Sequence, residues 1–299
     1  MKELNEQWLF DKNRWRVKYC PCGKSNKDGK FNPFRGCDNL GKCFSCDRTF
    51  WPENDTGNTV RQAFPQKRTI PMSLMKFDTV FASCKGYEQN NFANWMVEIC
   101  GESSAYEVFE MYYLGTSRKW NGAAVFWQID SQGNIRGGKI MAFDKAGKRI
   151  KKPRSQITRV HNQMGVKDYN LKQCFFGEHL LAIHPSKQVC IVESEKTAML
   201  CAVYMPLFVW IATGGKNGCN FNLKTFSQVL KDRDITLYPD VGEEELWRER
   251  SAGISGSGVR VSEYLAAIAR SEGNMKGQDL ADYLPNQPIS MFQNIQIPV

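Results

Sequence analysis

The sequence predicts an α/β protein in three parts: a metal-stapled β-ribbon at the N-terminus, a basic α+β middle segment, and a C-terminal parallel sheet flanked by helices. Three observations predict it. Five of eleven cysteines crowd between Cys20 and Cys46; positive charge is concentrated between Arg136 and Lys172; and from Cys174 onward short apolar runs alternate with helical stretches. The resulting boundaries are 1–55 for the ribbon, 56–75 for a linker, 76–173 for the middle segment and 174–299 for the sheet. A hydrophobic content of 42% is enough to build a real core across these parts.

The ribbon comes first. Cys20/Cys22 and Cys43/Cys46 are separated by twenty residues rich in Gly, Asn and Lys, with few apolar anchors. Such a segment cannot bury enough surface to order itself. Four thiolates on one Zn²⁺, at about 2.3 Å each, supply the missing stabilisation, and a closed four-sulfur shell makes the metal structural. The first pair is C-x-C where C-x-x-C is usual, so its turn is tighter. Gly23 and Gly41 permit close backbone approach, and Cys37 is an alternative ligand. Phe31, Phe34, Phe44, Phe50 and Trp51 interleave with Lys27, Lys30, Arg35, Lys42 and Arg48. That mixture suits single-stranded nucleic acid, where bases stack on rings and cations hold phosphates. Any one of these aromatics could instead cover the ribbon's small core. The scattered cysteines read as small buried side chains, and no disulfide is assigned.

Glu53–Met72 is polar and proline-punctuated, which makes it the linker. In the middle segment Phe92–Tyr113 has a helical pattern broken near Gly101. Ala124–Asp130 alternates like a strand, turns at S-Q-G-N, and returns through Ile135–Asp144. Between Arg136 and Lys172, eleven Lys or Arg stand against two acids, a balance of +9 that equals the charge of the whole chain. The densest run is K-A-G-K-R-I-K-K-P-R, Lys145–Arg154. Charge confined in this way beside aromatics points to a polyanion track. Lys139, Lys148, Arg149, Lys151, Lys152 and Arg154 would displace counterions from phosphates.

The last part reads as strand Val189–Val192, helix Glu195–Val203, strand Phe208–Ala212, helix Lys224–Leu230 and strand Ile235–Tyr238. Glu243–Ser251 and Val259–Arg270 follow as helices. This alternation builds a parallel sheet, whose ligands sit beyond the carboxyl ends of its strands. Glu193 and Asp240 both fall there, each just after an apolar run, with Glu195 as a second-rank acid. Carboxylates so displayed suit Mg²⁺ or Mn²⁺ and the phosphates such ions carry.

These motifs carry a resemblance. V-C-I-V-E-S-E-K-T-A resembles the glutamate motif of the TOPRIM fold, shared by bacterial-type primases, topoisomerases and some nucleases, with its glutamate at Glu193. I-T-L-Y-P-D resembles the strand of the aspartate motif, with its first aspartate at Asp240, and I-A-T-G-G-K-N-G resembles the turn after the intervening strand. A zinc ribbon, a basic domain and a TOPRIM-like domain follow one another in bacterial-type primases. The chain is similar to primase-like proteins of phages and mobile elements, particularly those of Bacteroidetes. F-F-G-E-H-L-L and K-G-Q-D-L-A-D-Y-L fit the same group, so the resemblance covers most of the chain. It departs from the pattern at Ser194, at Thr197, where many relatives have an acid, and at Gly242, where a second aspartate is expected. Glu243 and Glu244 are candidates for the missing carboxylate. Asp279 and Asp282 are candidate magnesium ligands from a later element, or alternatively helix-cap acids.

The resemblance implies a DNA primase-like nucleotidyltransferase that makes short RNA primers on single-stranded DNA from NTPs. It implies structural Zn²⁺ and catalytic Mg²⁺ or Mn²⁺, with Lys196 and Lys216 joining the phosphate contacts. A TOPRIM nuclease and a catalytically weak nucleic-acid-binding adaptor are the competing expectations. No G-x-x-x-x-G-K-[ST] is present, so a fused P-loop helicase is not expected; a separate replicative helicase is a candidate partner. His161, His179 and His184 are too dispersed for a zinc hydrolase. No apolar run approaches the roughly 18 residues of a membrane span, and acids stand where a signal peptide would be apolar. A cytoplasmic, soluble protein is the expectation.

Overall fold

The computed structural model describes residues 9–51, 71–215, 229–251, 258–273 and 276–294, which belong to two compact units, Met1–Thr69 and Ile70–Val299. In the first unit β1 (Phe31–Pro33), β2 (Gly41–Cys43) and β3 (Thr49–Phe50) form an antiparallel sheet in that order. Pro33 pairs with Gly41, where an added Cβ would meet the Asn32 carbonyl oxygen at 2.2 Å. Only glycine lets the two strands close there. The cluster around the cysteines is small: Cys20, Phe31 and Cys43, backed by Val17, Cys22, Cys46 and Phe50. Buried Asn26 ties the preceding loop to it. Its amide donates to the carbonyls of Arg14 (2.6 Å) and Val17 (2.9 Å), and its Oδ1 accepts from the Phe31 amide (2.7 Å).

The second unit contains two four-stranded sheets. β4 (Gly115–Ser117), β5 (Ala123–Ile129), β6 (Ile135–Met141) and β7 (Ile157–Arg159) are antiparallel neighbours in chain order. β5 and β6 are the expected hairpin. Every residue of β5 is buried, because its alternation sorts side chains into two cores rather than into core and solvent. Ala124 and Phe126 enter the main core; Val125, Trp127 and Ile129 enter a second one with Val80, Ile140 and Val160. The helices α1 (Phe77–Ser83), α2 (Asn91–Cys100) and α3 (Glu102–Tyr112) precede this sheet. The expected break falls at Gly101, with φ +79°, and Asn90 caps α2 by accepting from the Phe92 amide at 3.1 Å. The residues just before α1, at the end of the expected linker, run along the sheet, where the Met75 amide donates to the Ile135 carbonyl (2.9 Å). α4 (Val160–Gln163) and α5 (Leu180–Ile183) are short helices further on.

β8 (Val189–Val192), β9 (Val209–Ala212), β10 (Ile235–Leu237) and β11 (Val259–Val261) form the parallel sheet, in the order β11-β10-β8-β9. α6 (Glu195–Tyr204) is buried all round except at Lys196, packed against β9 and α3, which accounts for its uninterrupted apolar run. The Tyr112 hydroxyl donates to the Trp210 carbonyl (2.6 Å), joining α3 to β9. α7 (Glu244–Ser251), α8 (Tyr264–Glu272) and α9 (Leu280–Tyr283) complete the described helices. Main-core residues come from both sheets.

One expectation is corrected. Val259–Arg270 is not a single helix: Val259–Val261 pairs in parallel with Ile235–Leu237, and the helix starts at Tyr264. V-R-V is too short to show a period-two pattern, so only its pairing with β10 makes it a strand. Residues 224–228 of the expected Lys224–Leu230 helix lie outside the described residues. Among the described residues, no helix is long and apolar enough to cross a membrane.

Candidate functional site

In the parallel sheet, β10 pairs with β8 so that Leu237 faces Ile191. Glu193 and Asp240 therefore leave adjacent strands at the same sheet end, two and three residues past that pair. The Glu193 backbone is clamped: its carbonyl accepts from the amides of Gly214 (3.0 Å) and Gly215 (2.9 Å). Ser194 caps α6 by accepting from the Thr197 amide at 3.1 Å. The strand thus stops where Glu193 is displayed, and the two glutamates of V-E-S-E separate in space. Both line one cleft of about 510 Å³ with Asp240, Asp279, Asp282, Lys139, Lys148, Arg149, Lys151 and Lys196.

Asp279 arrives from the segment before α9, which pairs with the Asp240 turn through Gly277 N to Val241 O and Val241 N to Gln278 O, both 2.9 Å. Its Oδ2 accepts from the Thr197 hydroxyl (2.5 Å), and its Oδ1 caps α9 through the amides of Ala281 (2.9 Å) and Asp282 (3.2 Å). Asp279 and Asp282 form a capping box, as helix-cap acids do, and both also line the cleft. Burial, and then the charges of Asp279, Glu193, Glu243 and Asp282, push the Asp240 carboxyl up to about 8. Burial also raises Asp279, against the pull of the Thr197 hydrogen bond.

Such a shift has a sign. Asp240 holds its proton more tightly folded than unfolded, so its contribution to stability is greatest below 3.8 and is lost as pH rises towards 8. In buffer without added divalent cation, Tm is expected to fall across that window, and Asp240→Asn to flatten the slope. The shift corresponds to several kcal/mol, at about 1.4 kcal/mol per pH unit. Thermal melts from pH 4 to 8 measure it; equal slopes in both proteins would contradict it.

Several expected site residues are placed differently. Glu195 is buried and forms an ion pair with Lys139, itself buried and donating to the Gly214 carbonyl (2.7 Å). Each neutralises the other, so neither is the free acid or free cation that was expected. Glu244 turns back on its own loop, both carboxylate oxygens accepting from the Gly242 amide at 3.0 Å. Glu243 lies outside the cleft lining, although its charge reaches Asp240. Gly242 has φ +92°, a left-handed backbone in which an aspartate would be strained. Lys196 is turned to the Gly147 carbonyl (2.8 Å). Lys152 and Arg154 are exposed and do not line the cleft; Lys216 lies outside the described residues. Thr197, read from the sequence only as a departure, is the hydroxyl that orients Asp279.

Among the described residues, the group of potential metal ligands that is drawn tightly together is Cys20, Cys22, Cys43 and Cys46, whose sulfurs lie within 4.8 Å of one another. Oxygen donors of several acids lining one cleft suit a hard divalent cation, which takes one or two carboxylates directly and retains several waters. The sulfurs fit zinc. The amides of Cys22, Lys24, Ser45, Cys46 and Arg48 point at them, as thiolates require. Cys37 is outside the set; its amide and carbonyl bind Phe34 and Arg16.

Among the ribbon aromatics, Phe31 and Phe34 are buried and therefore closed to stacking, while Phe44 is 60% exposed. Trp15 (59%) and Tyr19 (65%), which the pattern did not single out, are also open among the described residues, and Phe10 is partly so (37%).

Primase domains are among the solved structures similar to the chain. They include the RNA polymerase domain of Mycobacterium tuberculosis primase DnaG (TM-score 0.48, 10% identity, 72% of this chain and 79% of that one). The DnaG primase catalytic domain bound to ssDNA matches with TM-score 0.44 and 12% identity, over 66% of this chain and 76% of that one. The primase fragment of the bacteriophage T7 primase-helicase protein matches with TM-score 0.40 and 18% identity, over 88% and 97%. No curated protein sequence matches the chain. Residues 90–241, just over half of the sequence, match the family described as a domain of unknown function, DUF6371, and the chain belongs to that family.

Proposed function

We propose that the chain is a primase-like nucleotidyltransferase that builds short RNA primers on single-stranded DNA. One observation carries the reading: Glu193, Asp240 and Asp279 line a single cleft whose other lining includes Lys148, Arg149 and Lys151. Acids alone suit a cation and bases alone suit a polyanion; the two together suit a metal-bound triphosphate. The glutamate-motif resemblance at Val189–Ala198 points the same way.

In this reading Asp240 and Asp279 offer oxygen donors to a divalent cation, Glu193 joins them or accepts the proton of the attacking hydroxyl, and Asp282 orders the turn. The cation, when bound, neutralises triphosphate charge and activates the 3′-hydroxyl. Lys148, Arg149 and Lys151 hold phosphates by charge, and the exposed Lys152 and Arg154 extend the track towards the template. Residues 76–173 then supply the basic wall and 174–299 the carboxylates. The zinc ribbon presents Trp15, Tyr19 and Phe44 as stacking surfaces for unpaired bases.

The test is incubation of purified protein with single-stranded DNA, labelled NTPs and Mg²⁺ or Mn²⁺. Short RNA products are expected. Degraded DNA would replace this reading with a nuclease, and salt-sensitive binding with neither product would replace it with an adaptor.

A further inference from the structure

We propose that Lys196 is a positioning residue, which clamps the turn at Asp144–Lys148 so that the basic run faces the carboxylates. The turn is compact: the Asp144 amide donates to the Lys148 carbonyl (2.9 Å), and Asp144 Oδ1 accepts from the amides of Ala146 (3.0 Å) and Lys148 (2.8 Å). Nothing in that bonding aims it at the cleft. The turn's base is anchored by the Ile150 amide on the Ala142 carbonyl (3.0 Å) and by Asn91 Nδ2 on the Phe143 carbonyl (2.9 Å), and its tip is held by two contacts at Gly147. Its carbonyl accepts from Lys196 Nζ at 2.8 Å, and its α-carbon rests on the Trp95 indole, where an added Cβ would lie 2.4 Å from the ring. Lys196 Nζ also stands 4.2 Å from the Trp95 ring centroid. One ammonium therefore joins α2, the basic turn and the start of α6.

Its location is unusual for a lysine. In the first turn of α6 the helix dipole opposes a cation, and burial draws its pKa down. Both penalties are offset by the charges of Asp279, Asp282 and Asp144, by the ring face and by the Gly147 carbonyl. The consequence falls on Lys148 and Arg149, which directly follow Gly147 and line the cleft with Glu193 and Asp240. The proposal rests on reading that cleft as a polyanion site, and its test separates the two.

Lys196→Met keeps the aliphatic stem over Trp95 and removes the ammonium. In the zinc-loaded full chain, tryptic cleavage after Lys148 and Arg149, resolved by mass spectrometry, is expected to accelerate about tenfold, as local opening becomes easier. Lys196→Arg is expected to retain protection, since a guanidinium stacks on indole and donates to a carbonyl. Affinity for inorganic tripolyphosphate with Mg²⁺ is expected to weaken about tenfold in the Met variant alone. Unchanged cleavage rates would overturn the clamp, as would weakened tripolyphosphate binding without faster cleavage, which marks a direct phosphate ligand. If the unsubstituted protein binds no tripolyphosphate, the polyanion reading fails, and the cleavage comparison still decides the clamp. Should Lys196→Met not fold, Trp95→Phe carries the same comparison.

Discussion

Glu193→Gln and Asp240→Asn are each expected to lower metal-dependent primer synthesis by about 10³-fold or more, equivalent to about 4 kcal/mol of transition-state stabilisation. Both substitutions are nearly isosteric and remove only charge. For Asp240 the effects on activity and stability run in opposite directions. Its carboxylate is crowded by the charges of Asp279, Glu193, Glu243 and Asp282, so neutralising it relieves repulsion in metal-free protein. Asp240→Asn should then melt higher than the unsubstituted chain at pH 8 while losing its thermal response to Mg²⁺. Glu195→Gln provides the contrast. It leaves buried Lys139 without a counter-ion, at a cost of about 3–5 kcal/mol, and should lower Tm first. Primer yield and melting curves, measured together, separate these outcomes. Full activity in Asp240→Asn would refute the assigned role.

Removing zinc is expected to unfold the ribbon of residues 9–51. Apart from the cysteines, the described ribbon buries few apolar side chains. Phe31 lies at the sulfurs, with Val17 and Phe50 partly buried beside it; Pro33 and Phe34 are also buried, the latter stacked with Phe10. That is too little surface to order the segment. Structural zinc contributes about 10–16 kcal/mol in small domains of this kind, so its loss exceeds any stability the ribbon has alone. One zinc per chain should be released by a chelator, and the amides of Phe31, held by the Asn26 side chain, and of Cys43, held by the Arg48 carbonyl, should lose hydrogen-exchange protection together. Cys43→Ser should reproduce the loss and Cys37→Ser should leave the stoichiometry unchanged. Protection that survived metal removal would show that the ribbon orders itself.

Much of this was legible in the chain because local chemistry dictated it. Cys20, Cys22, Cys43 and Cys46 announce a metal site by type and spacing, and Glu193 and Asp240 announce a strand-end site by following apolar runs. Less legible were residues whose neighbours arrive from far along the chain. Glu195 ranked below Glu193 in the sequence, but its neutralisation by Lys139, fifty-six residues earlier, was not readable there. Val259–Val261 carried no strand signal, and Phe34 looked as available for stacking as Phe44 although only Phe44 is exposed.

The sequence by itself indicated the close cysteine pairs, with Cys37 left open, the position of the basic run and two acids that each follow an apolar strand. These depend on residue type, on hydrophobic period and on spacing, which act over a few residues. Only the tertiary structure decided which charges remain available to a ligand. Glu195 and Lys139 cancel each other, Lys196 is held by Trp95 and Gly147, and Asp279 is brought to Asp240 by backbone pairing of Val241 with Gln278. The physical reason is that burial and partner charge set the state of an ionisable group, and both are supplied by whichever distant residues the fold places beside it.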